Sequence, residues 1–176
     1  MRYNAVTSYS FTDIPGEPVN VDDAKAWMKI DLTDDDTLIT SLITTARILC
    51  ESFLNMSIIQ RTVFANINNT LGGVELPFCP YASMFALTNS DGRVFDTDEW
   101  KVTNLPFACL QYPKEEFLTA VYTAGYQECP EYLRTAILVQ IAFMYENRGD
   151  VETREGRVYN LCELAKQMLS PFRRVS

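Results

Sequence analysis

From Asp35 to Leu54 apolar residues return every three or four positions: Leu38, Ile39, Leu42, Ile43, Ala46, Leu49, Cys50, Phe53 and Leu54. A strand cannot use that spacing, because its faces alternate with period two. The run predicts an amphipathic helix about 30 Å long at 1.5 Å per residue. Thr40, Ser41, Thr44, Thr45, Arg47 and Glu51 form its other face. A helix with one long apolar stripe must lie against other elements. Thr33 or Asp34 is its expected N-cap. The acid cluster Asp34-Asp35-Asp36 falls at the positive end of the helix dipole, so it reads as capping rather than as a metal site.

The flanking segments supply the remaining elements. Residues 1–19 are polar and aromatic, broken by Pro15, Gly16 and Pro18, and read as an irregular arm. Asn20 is the expected cap of a short helix to about Ile30, with Ala24, Trp27, Met28 and Ile30 inward. After Asn55 the period changes. Ile58–Ile67 is rich in β-branched residues, and strand-like runs follow at Val74–Leu76, Phe85–Thr88, Arg93–Phe95, Trp100–Thr103, Cys109–Tyr112 and Phe117–Thr123. Asp91-Gly92 is a hairpin turn between two of them. Helices return at Pro130, which suits a first helical position. Leu133, Ala136, Ile137, Gln140, Ile141, Met144 and Tyr145 share one stripe, and Leu138, Val139, Ala142 and Phe143 widen it, as in a buried helix. Val158–Leu169 forms a last helix, stopped at Ser170-Pro171. The fold class is therefore α+β: a small helical bundle from the N- and C-terminal parts with an inserted antiparallel β module. Its expected divisions are an arm at 1–19, a helical domain at 20–57 plus 127–170, the β module at 58–126 and a tail at 171–176.

Composition narrows the chemistry. The sequence contains no histidine. That removes the commonest general base, the Ser-His and Cys-His nucleophile pairs and the commonest metal ligand. No Walker loop, GxGxxG or GxSxG motif occurs. Five scattered cysteines, Cys50, Cys79, Cys109, Cys129 and Cys162, never form CxxC. They read as buried free thiols rather than as a disulfide framework or zinc site. No enzyme, no cofactor and no metal is expected. The net charge is −8, and it is uneven. Residues 1–57 carry 4 basic and 9 acidic groups, residues 58–126 carry 4 and 7, and residues 127–176 carry 7 and 7. A protein that grips DNA needs clustered Lys and Arg. Beyond Arg173-Arg174 none emerges. The apolar run Ala136–Tyr145 is about half a membrane span, and the N-terminus lacks a signal-peptide pattern, so the expected setting is a cytoplasm with no membrane.

Two stretches carry a resemblance. One is Pro18-Val19-Asn20-Val21-Asp22-Asp23-Ala24-Lys25-Ala26-Trp27-Met28-Lys29-Ile30-Asp31, continuing through Asp34-Asp35-Asp36, Leu38-Ile39, Leu42-Ile43 and Ala46-Arg47 to Glu51. The other is Tyr122-Thr123-Ala124-Gly125-Tyr126, Cys129-Pro130-Glu131, Leu133-Arg134, Ala136-Ile137 and Tyr145-Glu146-Asn147-Arg148, with the ending Leu169-Ser170-Pro171-Phe172-Arg173-Arg174-Val175. Together they resemble the tailed-phage head–tail connector (adaptor, head-completion) family, in the branch with an inserted β module. Asp23 stands where that family usually has Glu.

The resemblance implies a structural virion protein, not a catalyst. It implies a homo-oligomeric ring of twelve subunits docked under the portal protein, extending the DNA channel and offering a platform to a stopper or tail-completion protein. The location it implies is the virion neck, after assembly in the host cytoplasm. Pro171, Phe172, Arg173, Arg174 and Val175 are the expected portal-binding residues, an aromatic anchor beside two arginines. Asp91, Asp96, Asp98, Glu99, Glu115 and Glu116 are the acidic candidates for the channel or for a neighbouring ring, where a negative lining lets DNA pass without adhesive phosphate contacts. The alternatives are another neck component, a carboxylate-based hydrolase or a small binding module.

Overall fold

In a computed structural model the chain forms two compact units, one of residues 1–15 and 59–127, the other of residues 16–58 and 128–176. The structure describes residues 6–12, 15–68, 73–103, 108–112, 117–147 and 160–173.

The helical unit begins with α1 (Val21–Met28). Asn20 caps it, its side-chain oxygen accepting from the Asp23 N–H at 2.7 Å. Asp22 and Asp23 occupy the first turn. Lys29 ends it in the left-handed conformation, φ 57°. Ala24 is buried as expected, but Trp27 is half exposed. The helix is only two turns long, so its neighbours cover a narrow inner strip and Trp27 falls outside it.

The long helix is α2 (Asp36–Leu54). It buries Ile39, Leu42, Ile43, Ala46, Cys50 and Leu54. By length and composition α2 could cross a membrane. Its inner side is instead packed against α1, against α3 (Glu131–Glu146) and against α4 (Glu163–Leu169). The expected capping by Thr33 or Asp34 is not what forms. Asp35 is the N-cap and makes no side-chain capping bond. Its carboxylate instead accepts the Tyr145 hydroxyl, and Asp36 pairs with Lys25 at 2.8 Å.

Arg47 overturns its expected place on the polar face, since it is buried at 7% exposure. Its Nε donates to Glu17 at 2.7 Å and its Nη1 to Glu51 at 2.9 Å. Glu51 also accepts the Ile58 N–H at 2.8 Å, and the Thr44 hydroxyl donates to Glu17 at 2.9 Å. Burial works against the Arg47 charge, but the Glu17 hydrogen bond and the two carboxylate charges outweigh it and raise its pKa.

α3 follows Pro130, which stands at its N-cap rather than one position inside. Gln140, in the middle of its apolar stripe, is fully buried. Its amide satisfies two backbone groups ahead of α4: the Cys162 N–H donates to it at 2.7 Å, and it donates to the Asn160 carbonyl at 3.2 Å. Of the expected Val158–Leu169 helix, Glu163–Leu169 is helical, and residues 158 and 159 lie outside the described part. Ser170-Pro171 does not end the chain's winding. A 3₁₀ turn, Ser170–Phe172, continues it.

The sheet unit opens with a correction. Val6–Phe11, expected to be irregular, is strand β1. It pairs antiparallel with β2 (Arg61–Asn68), from Val6 opposite Ile67 to Phe11 opposite Val63. The expected runs recur as β3 (Gly73–Glu75), β4 (Tyr81–Asn89), β5 (Lys101–Thr103), β6 (Cys109–Gln111) and β7 (Phe117–Ala124). One four-stranded antiparallel sheet runs β1-β2-β7-β4, and a three-stranded one runs β3-β6-β5. Val63, Ala65 and Ile67 of β2 face inward with Leu118, Ala120 and Tyr122 of β7, and Val74 and Leu110 of the second sheet join the same core. The turn at Asp91-Gly92 forms, with Gly92 at φ 82°. The Arg93–Phe95 run after it is not a strand of its own. It returns along β4 through a bridge between Thr88 and Val94 and a hydrogen bond from the Phe95 N–H to the Leu87 carbonyl at 2.8 Å. Phe95 is buried in the core of the sheet unit.

Candidate docking surfaces

The tail comes first. Phe172 stacks on Tyr132 of α3 with ring centroids 4.0 Å apart, and the Arg173 guanidinium lies 5.0 Å from the Phe53 ring of α2. Phe172 keeps 40% of its surface exposed. The described part of the tail is thus seated on its own helices, with Phe172 still partly open to contact. Pro171 and Arg173 are also exposed. Arg174 and Val175 lie outside the described residues. Phe53 is expected from the sequence only as part of the apolar stripe of α2, and Tyr132 is not singled out, because nothing local links either to a segment 40 and more than 100 positions away.

The acidic candidates divide. Asp91, Asp96 and Asp98 are exposed on the connection between β4 and β5. Glu99 is not free. It pairs with Arg93 and accepts the Asp96 N–H at 2.9 Å. Asn89 orders the same connection, accepting from the Asp91 and Arg93 N–H groups at 3.1 and 2.9 Å. Glu115 and Glu116 lie outside the described residues.

The motif residues hold the helical unit together. Asp23 of α1 pairs with Arg134 of α3 at 2.6 Å. The Arg134 hydrogen bond and charge, opposed by burial, hold the Asp23 carboxyl below its ordinary range. With Asp35 and Tyr145, this pair ties the first motif stretch to the second. In the sheet unit, Gly125 stands at φ 107°, and a Cβ there would meet the Ile59 carbonyl oxygen at 2.4 Å. Its N–H donates to the Pro80 carbonyl at 2.8 Å, and the Gln60 N–H donates to the Tyr126 carbonyl at 3.1 Å. The glycine of Tyr-Thr-Ala-Gly-Tyr is needed for that close approach of two backbone segments.

Burial pushes the Cys50 thiol to about 12 and the Cys129 thiol to about 11. Both are protonated at neutral pH and poor nucleophiles. None of the five cysteines is joined in a disulfide. Among the described residues no cluster of three His, Cys, Asp or Glu is placed to hold a metal ion.

Known proteins resemble this chain chiefly in fold. A chain of a structure described as the virion of a native gene transfer agent (GTA) particle superposes with a TM-score of 0.75 at 18% identity, covering 97% of each chain. A chain of the neck of an empty GTA particle, computed with C6 symmetry, gives 0.73 at 16% identity, again over 97% of each. No curated protein matches the sequence. Residues 18–84 of the chain match the family of phage gp6-like head-tail connector proteins, a span that takes in the first of the two motif stretches and not the second.

Proposed function

We propose that this chain is a structural subunit of a phage neck: a head–tail connector that forms a ring beneath the portal protein, lengthens the DNA channel and receives a stopper or tail-completion protein. The observation that carries this reading is the agreement of two independent matches. The connector family covers residues 18–84, and the fold of GTA particle chains extends over nearly the whole length. The bonds of the motif residues support it. Asp23, Asp35, Arg134 and Tyr145 fasten helices to one another, which is what a scaffold requires of its charged groups. The role is structural rather than catalytic. The six-fold symmetry named for the GTA neck is compatible with a ring of twelve.

In this reading Pro171, Phe172 and Arg173, followed by Arg174 and Val175, dock on the portal. The aromatic anchor is already oriented by Tyr132, so little freedom remains to be lost on binding. Asp91, Asp96 and Asp98 are the exposed acids that face DNA or the next ring. Immobilised portal protein should retain the full-length chain. Failure to retain it, at concentrations where known connectors bind, would contradict the proposal.

A further inference from the structure

Three of the helical unit's exposed large apolar side chains come together in one place. Trp27 of α1, Phe143 of α3 and Leu164 of α4 are 48%, 44% and 57% exposed and line a single groove with a volume of about 430 Å³. Glu146 and Glu163 stand in its lining, with Lys166 3.6 Å from Glu163 offsetting part of that charge. An apolar groove drawn from three elements is the kind of surface that proteins cover on assembly. Its acids restrict the cover. A face carrying further carboxylates would be repelled, and an uncharged face with an apolar knob would not.

Such a face lies on the same unit. Thr37, Ser41, Thr45, Ile48 and Ser52 follow one another along the outward side of α2 with no charge among them. The Ser41 hydroxyl donates to the Thr37 carbonyl and the Thr45 hydroxyl to the Ser41 carbonyl, so both are satisfied within the helix. Ile48 projects from the middle, 52% exposed. Of the acids on and beside α2, Glu17 and Glu51 are bound by Arg47, and Asp36 by Lys25. In a chain of net charge −8 this uncharged surface is unusual. The two surfaces are distinct. The α2 face lies on the exposed side of that helix, opposite the buried Ile39, Leu42, Ile43 and Ala46, and Val139, Ala142 and Phe143 lie off the α3 side that buries Ala136, Ile137, Gln140 and Ile141. Two different faces are what a head-to-tail contact needs, and repeated head-to-tail contacts close into a ring.

We propose that the Trp27–Phe143–Leu164 groove receives the outer face of α2 from a second copy of the chain, with Ile48 as the knob. This names the subunit contact of the ring proposed above and rests on that reading. The test uses the full-length chain assembled on purified portal. A photo-crosslinking residue is placed at position 48 and the products are mapped by mass spectrometry. Crosslinks to Trp27, Phe143 or Leu164 of another copy are expected. A ring that forms but crosslinks elsewhere overturns this contact and leaves the ring reading standing. A wild-type chain that forms no ring overturns both. In a second arm, Ile48→Glu and Phe143→Glu are prepared separately and checked to melt as the wild type does. Each alone should fail to form rings. Mixed, they should give one-to-one pairs, because one sound groove and one sound knob remain. Rings formed by either variant alone would also overturn the contact.

Discussion

Gly125 and Arg47 are the residues on which the two units most visibly depend. Gly125 is held at φ 107° against the Ile59 backbone. Gly125→Ala adds both a steric clash and an unfavourable backbone conformation, and should cost roughly 2–4 kcal/mol. A melting-temperature loss of several degrees would register it, and an unchanged melting temperature would refute the account of the motif. Arg47→Ala leaves Glu17 and Glu51 facing each other without their cation. Breaking a buried pair in this way costs about 3 kcal/mol, measurable by urea unfolding. Asp23 gives a pH signature. Its folded pKa lies below the ordinary value of 3.8. The Arg134 pair therefore stabilises the fold above that pH, and the contribution is lost as pH falls through the folded pKa. Wild type should melt above Asp23→Asn at pH 7, and the gap should close below about pH 4. A gap that persists or widens at low pH would contradict the sign.

Among the elements, local pattern and long-range closure contributed differently. The α2 stripe, the Asn20 cap and most β runs were legible, because each depends on neighbours within a few positions. β1 was not. Val6, Thr7, Tyr9 and Phe11 are strand formers, but Pro15, Gly16 and Pro18 make the whole segment read as an arm, and its pairing edge, β2, comes more than 50 residues later. Arg47 looked like a surface residue of an amphipathic helix until Glu17, 30 positions earlier, supplied its partner. Gln140 passed as part of an apolar stripe, and its buried amide is explained only by the backbone at Asn160 and Cys162. The tail shows the same limit. Its composition suggested an anchor, but the Tyr132 and Phe53 platforms are tertiary. Deleting Phe172 to Ser176 removes a ring stack and a cation–π contact, and should destabilise the helical unit by about 1–2 kcal/mol. The truncated chain should still fold by circular dichroism while losing its hold on portal. Undiminished portal retention would remove the tail from the docking surface.

At the scale of the whole molecule, the charge distribution and the folded surfaces point to assembly. The sheet unit exposes acids on its β4–β5 connection, and the helical unit exposes an uncharged α2 face and an apolar groove. The absence of histidine left few chemical roles open from the start. Which groups would be free for contact was a different matter. Glu99 is taken by Arg93, and Trp27, expected inside, lines the groove. The most direct measurement of the central claim is electron microscopy of purified portal mixed with the full-length chain. The account predicts a closed ring of added density, coaxial with the portal at its tail-facing end. Bare portal beside unassembled chain, at saturating concentration, would contradict it.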